Sequence, residues 1–188
     1  MVAGMGQQHY PDIHSGEPPR LLVIEPNRVY LGVIARRLGQ CGFRVATART
    51  AQDGLAELHR LRVDLVLSEL RLPGTSGVEL VRVMREDAAC RHLPVLLIVG
   101  RMDRKGSIAG FEAGADGVVR KPFHFEVLAA RITREIERAR AVENLRHDNA
   151  ALDARVISRA IELGEMRALW QASEAERRRL TLATGAAA

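Results

Sequence analysis

The sequence contains few signals of metal, redox or nucleotide chemistry. Such signals are usually spaced histidines, paired cysteines or glycine-rich loops. The six histidines show no metal-ligand spacing, and Cys41 and Cys90 are isolated, with no CxxC pair for zinc or redox work. No glycine-rich nucleotide-binding loop supports a kinase. Because isolated cysteines are typical of a reducing compartment, we expect a cytoplasmic protein without a metal site.

The charge distribution does not favour nucleic acid as a partner. Of the 28 basic residues 26 are arginine, and the formal net charge is +5. Residues 20–125 hold 17 basic and 11 acidic side chains (+6), residues 126–188 hold 11 and 10 (+1), and residues 1–19 contribute −2. A nucleic-acid-binding arm would concentrate positive charge in a tail or along one helix face, whereas this tail is nearly neutral.

Between Arg20 and Phe125, short apolar segments alternate with helical patterns. Segments that are apolar on both faces suit the central strands of a parallel sheet. The strand candidates are Leu21–Ile24, Arg44–Ala48, Asp64–Ser68, Val95–Val99 and Gly117–Val119. The intervening helices are marked by Leu31, Ile34 and Leu38, by Leu55 and Leu58, by Leu80, Val81 and Met84, and by Ile108 and Phe111. Five strand–helix repeats predict an open, doubly wound α/β sheet.

A long helical pattern follows, from about Phe125 to Leu182, with no proline and with glycine only at Gly164 within it. Its apolar residues follow a heptad, and we call these positions the seam: Val142, Leu145, Leu152, Val156, Leu163, Met166, Trp170 and Leu180, with the polar residues Asn149, Arg159, Ser173 and Arg177 in the same register. The pattern favours a dimeric coiled coil. The alternative is a hairpin that bends near Gly164 and folds back.

The chain is therefore expected to contain a flexible segment over residues 1–19, a globular domain over 20–138 and a helical extension over 139–188. Its 188 residues exceed one common domain of ~100–150 residues but are few for two. No apolar run approaches the ~18 residues that a membrane span needs, so no membrane partner is expected.

Several motifs, in order, resemble the receiver domain of bacterial two-component response regulators. They are Leu21–Pro26 (a strand with an acidic tip), Asp64–Gly74 (a strand and its following loop), Gly77–Leu80, Leu93–Val95, Gly114–Gly117 and Arg120–Phe123, which contains the Lys-Pro-Phe signature. The resemblance covers about residues 20–138. It implies a flavodoxin-like (βα)5 sheet of order 2-1-3-4-5, with the site at the carboxyl ends of the strands.

The resemblance also identifies site positions, and this chain departs from the family at most of them. Receivers use an Asp nucleophile where this chain has Glu69, and an acidic pair for Mg²⁺ where it has Glu25 and Pro26. The hydroxyl position holds Val99. The aromatic switch position holds Val118, and only Lys121 matches the family pattern.

These departures predict a degenerate phosphoacceptor site. The extra methylene of Glu69 moves its carboxylate by about 1.5 Å, and a misplacement of ~1 Å can already lower a rate ~100-fold. Pro26 supplies no oxygen to a magnesium ion, so we expect Mg²⁺ binding to be lost or weak and no other cofactor to be used. Glu69 could pair with Lys121 and imitate phosphorylation in part, but a permanently fixed binding surface is the favoured interpretation.

The sequence thus predicts a non-enzymatic pseudo-receiver, an adaptor in two-component or phosphorelay signalling that dimerises through its C-terminal helix. Expected partners are a histidine kinase, a response regulator or an output domain, bound through the fourth helix, fifth strand and fifth helix as the resemblance implies. Two alternatives stay open. One is an RNA-binding antiterminator-type regulator, and the other is a conventional response regulator that is phosphorylated despite its altered site.

Overall fold

The computed structural model describes the backbone of residues 17–185 and the side chains of these residues except 176 and 179–185. The elements are β1 (Arg20–Ile24), α1 (Arg28–Gln40), β2 (Arg44–Ala48), α2 (Ala51–Arg60), β3 (Leu65–Glu69), α3 (Gly77–Glu86), β4 (Val95–Val99), α4 (Arg104–Glu112), β5 (Gly117–Arg120) and α5 (Phe125–Gly185). β3 begins and ends one residue later than its predicted segment, and β5 ends one residue later. Most of the predicted flexible segment, residues 1–16, lies outside the described residues.

The five strands form one parallel sheet in the order β2-β1-β3-β4-β5. This order confirms the predicted doubly wound α/β fold of the flavodoxin-like type. The register places Ile24 beside Ser68 and Glu69 beside Ile98. The last residues of β1 and β3 therefore reach the same edge of the sheet.

Apolar side chains cover both faces of the sheet, as the strand sequences predicted. Alternate residues of β1 point to opposite faces: Leu22 and Ile24 join the core beneath α2 and α3, while Leu21 and Val23 join the core beneath α1 and α5. Side chains that are apolar on both faces bury a large area, and this burial is the main stabilising term of such a sheet.

The fourth helix packs differently from its predicted pattern. Ile108 and Phe111, which marked it in the sequence, are each 54% exposed, and the buried face is formed by Ser107 and Gly110. A Cβ atom on Gly110 would lie 2.8 Å from Leu97 Cδ1, so a larger residue there would require either the helix or the buried Leu97 side chain to shift. Small residues let α4 approach the sheet closely, and its large apolar side chains face outward.

Gly77 fixes the start of α3 against the end of β3. A Cβ atom at this position would lie 2.7 Å from the carbonyl oxygen of Glu69 and 2.9 Å from Leu70 Cα, and neither backbone atom can easily give way. The Gly77 N–H donates to Leu70 O at 2.8 Å. Ser76 caps the helix through a reciprocal hydrogen-bonded pair with Glu79. The segment that follows Glu69 is thereby held at both ends.

The structure divides into two compact units, one ending at Ala139 and the other beginning at Arg140. In the first unit, Leu128, Ala129, Ile132 and Ile136 of α5 are buried against the sheet. Within the second unit, every side chain from residue 141 to 173 is exposed. Gly164 lies within α5, so the hairpin turn considered at this residue is absent.

Candidate functional site

Glu25, Glu69 and Lys121 meet at the carboxyl edge of the sheet. Glu25 directly follows β1, Glu69 ends β3, and Lys121 follows β5. Together with Arg71, Asp103 and Lys105 they line an open cleft. The parallel topology explains this meeting, because strands that run in the same direction end at the same edge.

The ammonium group of Lys121 contacts both carboxylates. Its Nζ lies 2.5 Å from Glu69 Oε2 and 3.3 Å from Glu25 Oε2. The two glutamates are buried, with whole-residue exposures of 8% and 3%, whereas one third of the Lys121 side chain is exposed. A buried carboxylate needs a charged or hydrogen-bonded partner, and one lysine serves as that partner for both.

Backbone N–H groups hold the second oxygen of each carboxylate. Glu69 Oε1 accepts hydrogen bonds from the N–H groups of Leu70, at 3.1 Å, and Arg71, at 3.4 Å. Glu25 Oε1 accepts one from the N–H of Asn27 at 3.0 Å. All four carboxylate oxygens are therefore hydrogen-bonded, and each glutamate turns one oxygen toward Lys121.

Tyr30, on the first turn of α1, covers the lysine. Lys121 Nζ lies 4.5 Å from the centroid of the Tyr30 ring, within the range of a cation–π contact. Burial alone would lower the pKa of Lys121, but the hydrogen bond and charge of Glu69, followed by those of Glu25, outweigh it and raise that pKa above 10.5. Burial also raises the pKa of the Tyr30 hydroxyl, so both groups keep their protons at neutral pH.

The remaining predicted positions carry no hydroxyl, carboxylate or aromatic group. Val99 is fully buried, Val118 is partly buried against the same core, and Pro26 lies half-buried beside Glu25. No group of three or more Asp, Glu, His or Cys side chains suited to a metal ion occurs in the part of the chain that the structure describes. The two carboxylates at the predicted metal positions are both paired with Lys121, and Pro26 offers no side-chain oxygen, so the donor set does not fit a magnesium ion.

The cleft also contains an ion pair that sequence analysis missed. Arg71 Nη2 lies 3.0 Å from Asp103 Oδ2, and Asp103 Oδ1 accepts a hydrogen bond from the N–H of Gly106 at the start of α4. These two hydrogen bonds, first that from Gly106 and then that from Arg71, lower the pKa of the Asp103 carboxyl. The pair connects the loop after β3 to α4. Nothing in the sequence relates residues 32 positions apart, so no signal could have identified it.

The predicted seam residues lie on α5 at exposed positions. The seven whose side chains the structure describes are 42–68% exposed: Val142, Leu145, Leu152, Val156, Leu163, Met166 and Trp170. The side chain of Leu180 lies outside the described residues. Such a run of exposed apolar side chains on one helix is unusual for a single chain.

None of the helices described here has an apolar stretch long enough to cross a bilayer.

Residues 21–133 match the sequence family described as the response regulator receiver domain. Over 142 residues the chain is 36% identical to the transcriptional regulatory protein AfsQ1 of Streptomyces coelicolor, an alignment that covers 76% of this chain and 60% of that protein. The chain thus spans little more than half the length of that curated relative.

Two crystal structures show the same fold. A response regulator receiver domain protein from Clostridium thermocellum is 25% identical with a TM-score of 0.62, covering 66% of this chain and 98% of that one. The receiver domain of the sensor histidine kinase PA1611 from Pseudomonas aeruginosa, solved with a magnesium ion in its active-site cleft, is also 25% identical. Its TM-score is 0.60, and the match covers 64% of this chain and 98% of that one.

Proposed function

We propose that this chain, which belongs to the response regulator receiver family, is a pseudo-receiver. In this role it binds signalling proteins in a two-component pathway, accepts no phosphoryl group and catalyses no reaction. The observation that carries the proposal is the contact of Lys121 with both Glu69 and Glu25. The groups that would bind magnesium and phosphate are already bound to one another.

The geometry of Glu69 supports this proposal. To attack phosphorus, a carboxylate oxygen must approach the phosphoryl donor, but Oε2 of Glu69 is paired with Lys121 and Oε1 accepts backbone hydrogen bonds. Opening the pair would leave a buried carboxylate without its cation, which is a costly state. At positions 99 and 118, valine offers neither a hydroxyl to hold a phosphoryl oxygen nor an aromatic ring to move. A fixed surface is therefore favoured over a switch.

Labelling by a small phosphodonor tests this proposal. Incubation of the full chain with acetyl phosphate and Mg²⁺ should add no phosphoryl group by intact-mass spectrometry, because the site lacks magnesium ligands and a free nucleophile. A conventional receiver treated in the same tube is the positive control. Labelling of this chain that disappears in Glu69→Gln would refute the proposal and establish a conventional phosphorylated regulator.

The surface of α4 supports a role in protein binding. Ile108 and Phe111 lie exposed on this helix, and Met102 is exposed in the loop that precedes it. Exposed apolar groups of this kind are typical of protein-binding surfaces. The partners proposed are a histidine kinase, a response regulator or an output domain. Binding of RNA, the alternative considered from the sequence, has no further support from the described residues.

We also propose that the chain is a homodimer through α5. The exposed seam supports this, since a 61-residue helix gains stability by burying such an apolar seam against a second helix. Sedimentation equilibrium of the full chain should give twice the chain mass, and a chain ending at residue 140 should give one chain mass. Equal behaviour of the two proteins, both monomeric, would contradict the dimer.

A further inference from the structure

The polar residues of the seam distinguish between possible arrangements of two copies. Eight seam positions are apolar and four are polar, namely Asn149, Arg159, Ser173 and Arg177. A charged residue inside a coiled-coil seam is tolerated when it faces an apolar or uncharged residue along which its stem can lie. It is destabilising when it faces a like charge.

A parallel, in-register pair brings like charges together. Each seam residue then faces its own copy, so that Arg159 stacks on Arg159 and Arg177 on Arg177. The flanking positions add a further conflict, because Asp148 of one helix approaches Asp153 of the other. Only the flanking pair of Glu162 with Arg167 is attractive. The parallel arrangement therefore places four like-charge contacts along one interface, counting both copies of the aspartate pair.

An antiparallel pair with Val142 opposite Leu180 removes every conflict in the seam. Neither arginine then faces another arginine, and the polar Asn149 meets the polar Ser173. The facing pairs in this register are Val142 with Leu180, Leu145 with Arg177, Asn149 with Ser173, Leu152 with Trp170, Val156 with Met166, and Arg159 with Leu163. The largest seam side chain, Trp170, lies against a leucine, and each arginine stem lies against a leucine.

Charges on one flank of the seam agree with this register. In antiparallel coiled coils, residues directly after the second apolar position of each heptad face one another. Here Arg146 faces Glu174, and Asp153 faces Arg167. The two-fold symmetry of the dimer generates each of these two attractive pairs twice. A shift by one heptad in either direction puts Arg146 opposite Arg167 or Asp153 opposite Glu174, so the charges on this flank favour this register.

The other flank is less favourable, because Asp148 of one helix faces Glu176 of the other, and it is only partly compensated within the chain. Glu162 faces its own copy near the centre of the pair. Arg159 Nη1 lies 3.9 Å from Glu162 Oε2 in the same helix and offsets this repulsion in part. Arg146 and Glu174 also have partners on their own helix, at 3.7 and 3.6 Å, but these pairs are exposed and contribute little alone. Each of these side chains can contact a partner on its own helix and one on the other helix at the same time, so the interhelical pairs add to the pairs within each helix.

We infer that α5 binds α5 of a second copy in antiparallel orientation, with the two-fold axis at the level of residue 161, between the seam positions Arg159 and Leu163. This inference rests on the proposed dimer and adds its direction and register. The two copies of Val142 then lie about 57 Å apart, given a rise of 1.5 Å per residue, and the two copies of Ala160 face each other.

Single-cysteine crosslinking of the full chain tests the direction. In a Cys41→Ser, Cys90→Ala background whose helix content is checked by circular dichroism, Ala160→Cys should form a disulfide-linked dimer under mild oxidation. Val142→Cys should form none above background, because its sulfurs are far apart. An equimolar mixture of Arg159→Cys and Leu163→Cys chains should also crosslink, as these residues face each other.

The possible outcomes separate the inference from the dimer on which it rests. Crosslinking of Val142→Cys without Ala160→Cys would mean a parallel dimer and would overturn the inference alone. A sedimenting dimer in which neither Ala160→Cys nor the mixed pair crosslinks would also overturn it. A monomeric full chain would overturn both the dimer and its orientation, and would leave the exposed seam to a partner of another kind.

Discussion

Replacing Lys121 by methionine is expected to destabilise the receiver unit by about 2–4 kcal/mol at neutral pH. Glu69 and Glu25 would then be two neighbouring carboxylates, 8% and 3% exposed, without a cation. Breaking a buried ion pair by removing one partner typically costs about 3–5 kcal/mol, and we lower that range because one third of the Lys121 side chain is exposed to solvent. Urea denaturation followed by circular dichroism measures the change.

Two further variants separate the ion pair from general packing. Lys105→Met removes the only other lysine, which is exposed at the rim of the same cleft, and should change stability by less than about 0.5 kcal/mol. Adding Glu69→Gln to Lys121→Met should recover about half of the loss, because one of the two unpaired charges is then gone. Equal losses for the two lysine variants would show that the contact is energetically unimportant.

The effect of Lys121 should also depend on pH in a defined direction. Its pKa is raised above 10.5 in the folded chain, so its stabilising contribution is complete below that pH and is lost as pH rises through the folded-state value. The stability difference between the wild-type chain and Lys121→Met should stay constant from pH 7 to about 9.5 and narrow above about 10.5. A constant difference across the whole range would exclude the ionised lysine as its source.

Rebuilding the family's residues should create a phosphorylatable site. The combined substitutions Pro26→Asp, Glu69→Asp and Val99→Thr restore a second carboxylate for Mg²⁺, shorten the nucleophile by about 1.5 Å and add a hydroxyl near the phosphoryl group. The rate of labelling by acetyl phosphate should rise at least about 100-fold over the wild-type chain and should require Mg²⁺, because each restored group corrects a misplacement or a missing ligand. Intact-mass spectrometry over time gives the rates.

The matched control replaces only the nucleophile. Pro26→Asp, Glu69→Asn and Val99→Thr retains the other two changes but has no carboxylate at position 69, so it should remain unlabelled. Labelling of this control would locate the acceptor elsewhere. If the rebuilt site bound Mg²⁺ but stayed unlabelled, the three positions would not account for the expected inactivity, and Val118 or the loop after β4 would be the next residues to change.

Most of the fold could be predicted from the sequence because it depends on local patterns. Short segments apolar on both faces specified central strands, and Thr50 is a local capping signal of the same kind, because its hydroxyl accepts a hydrogen bond from the N–H of Asp53 at the start of α2. Ile108 and Phe111 correctly marked the fourth helix but did not indicate which of its faces is buried. Periodicity identifies which residues of a helix are apolar, but the packing of Gly110 on Leu97 decides which face is buried.

The site could be predicted only as a set of positions. The resemblance to receivers placed Glu25, Glu69 and Lys121 together, and the structure does bring them into contact. Tyr30 above the lysine and the Arg71–Asp103 ion pair could not be predicted, because each contact joins residues from different elements through side-chain conformations that no spacing encodes. The positions of the seam residues on α5 could be predicted because a heptad repeat is itself a local pattern.

The buried face of α4 has a consequence for how the receiver unit can respond to binding. Ser107 and Gly110 bury few apolar atoms, whereas Leu128, Ala129, Ile132 and Ile136 anchor α5 through large apolar contacts. The free energy that holds a helix on its sheet scales with the apolar area that the helix buries. A bound protein would therefore displace or rotate α4 at a smaller free-energy cost than α5. The helix that presents Ile108 and Phe111 to solvent is therefore held on the sheet less tightly than α5.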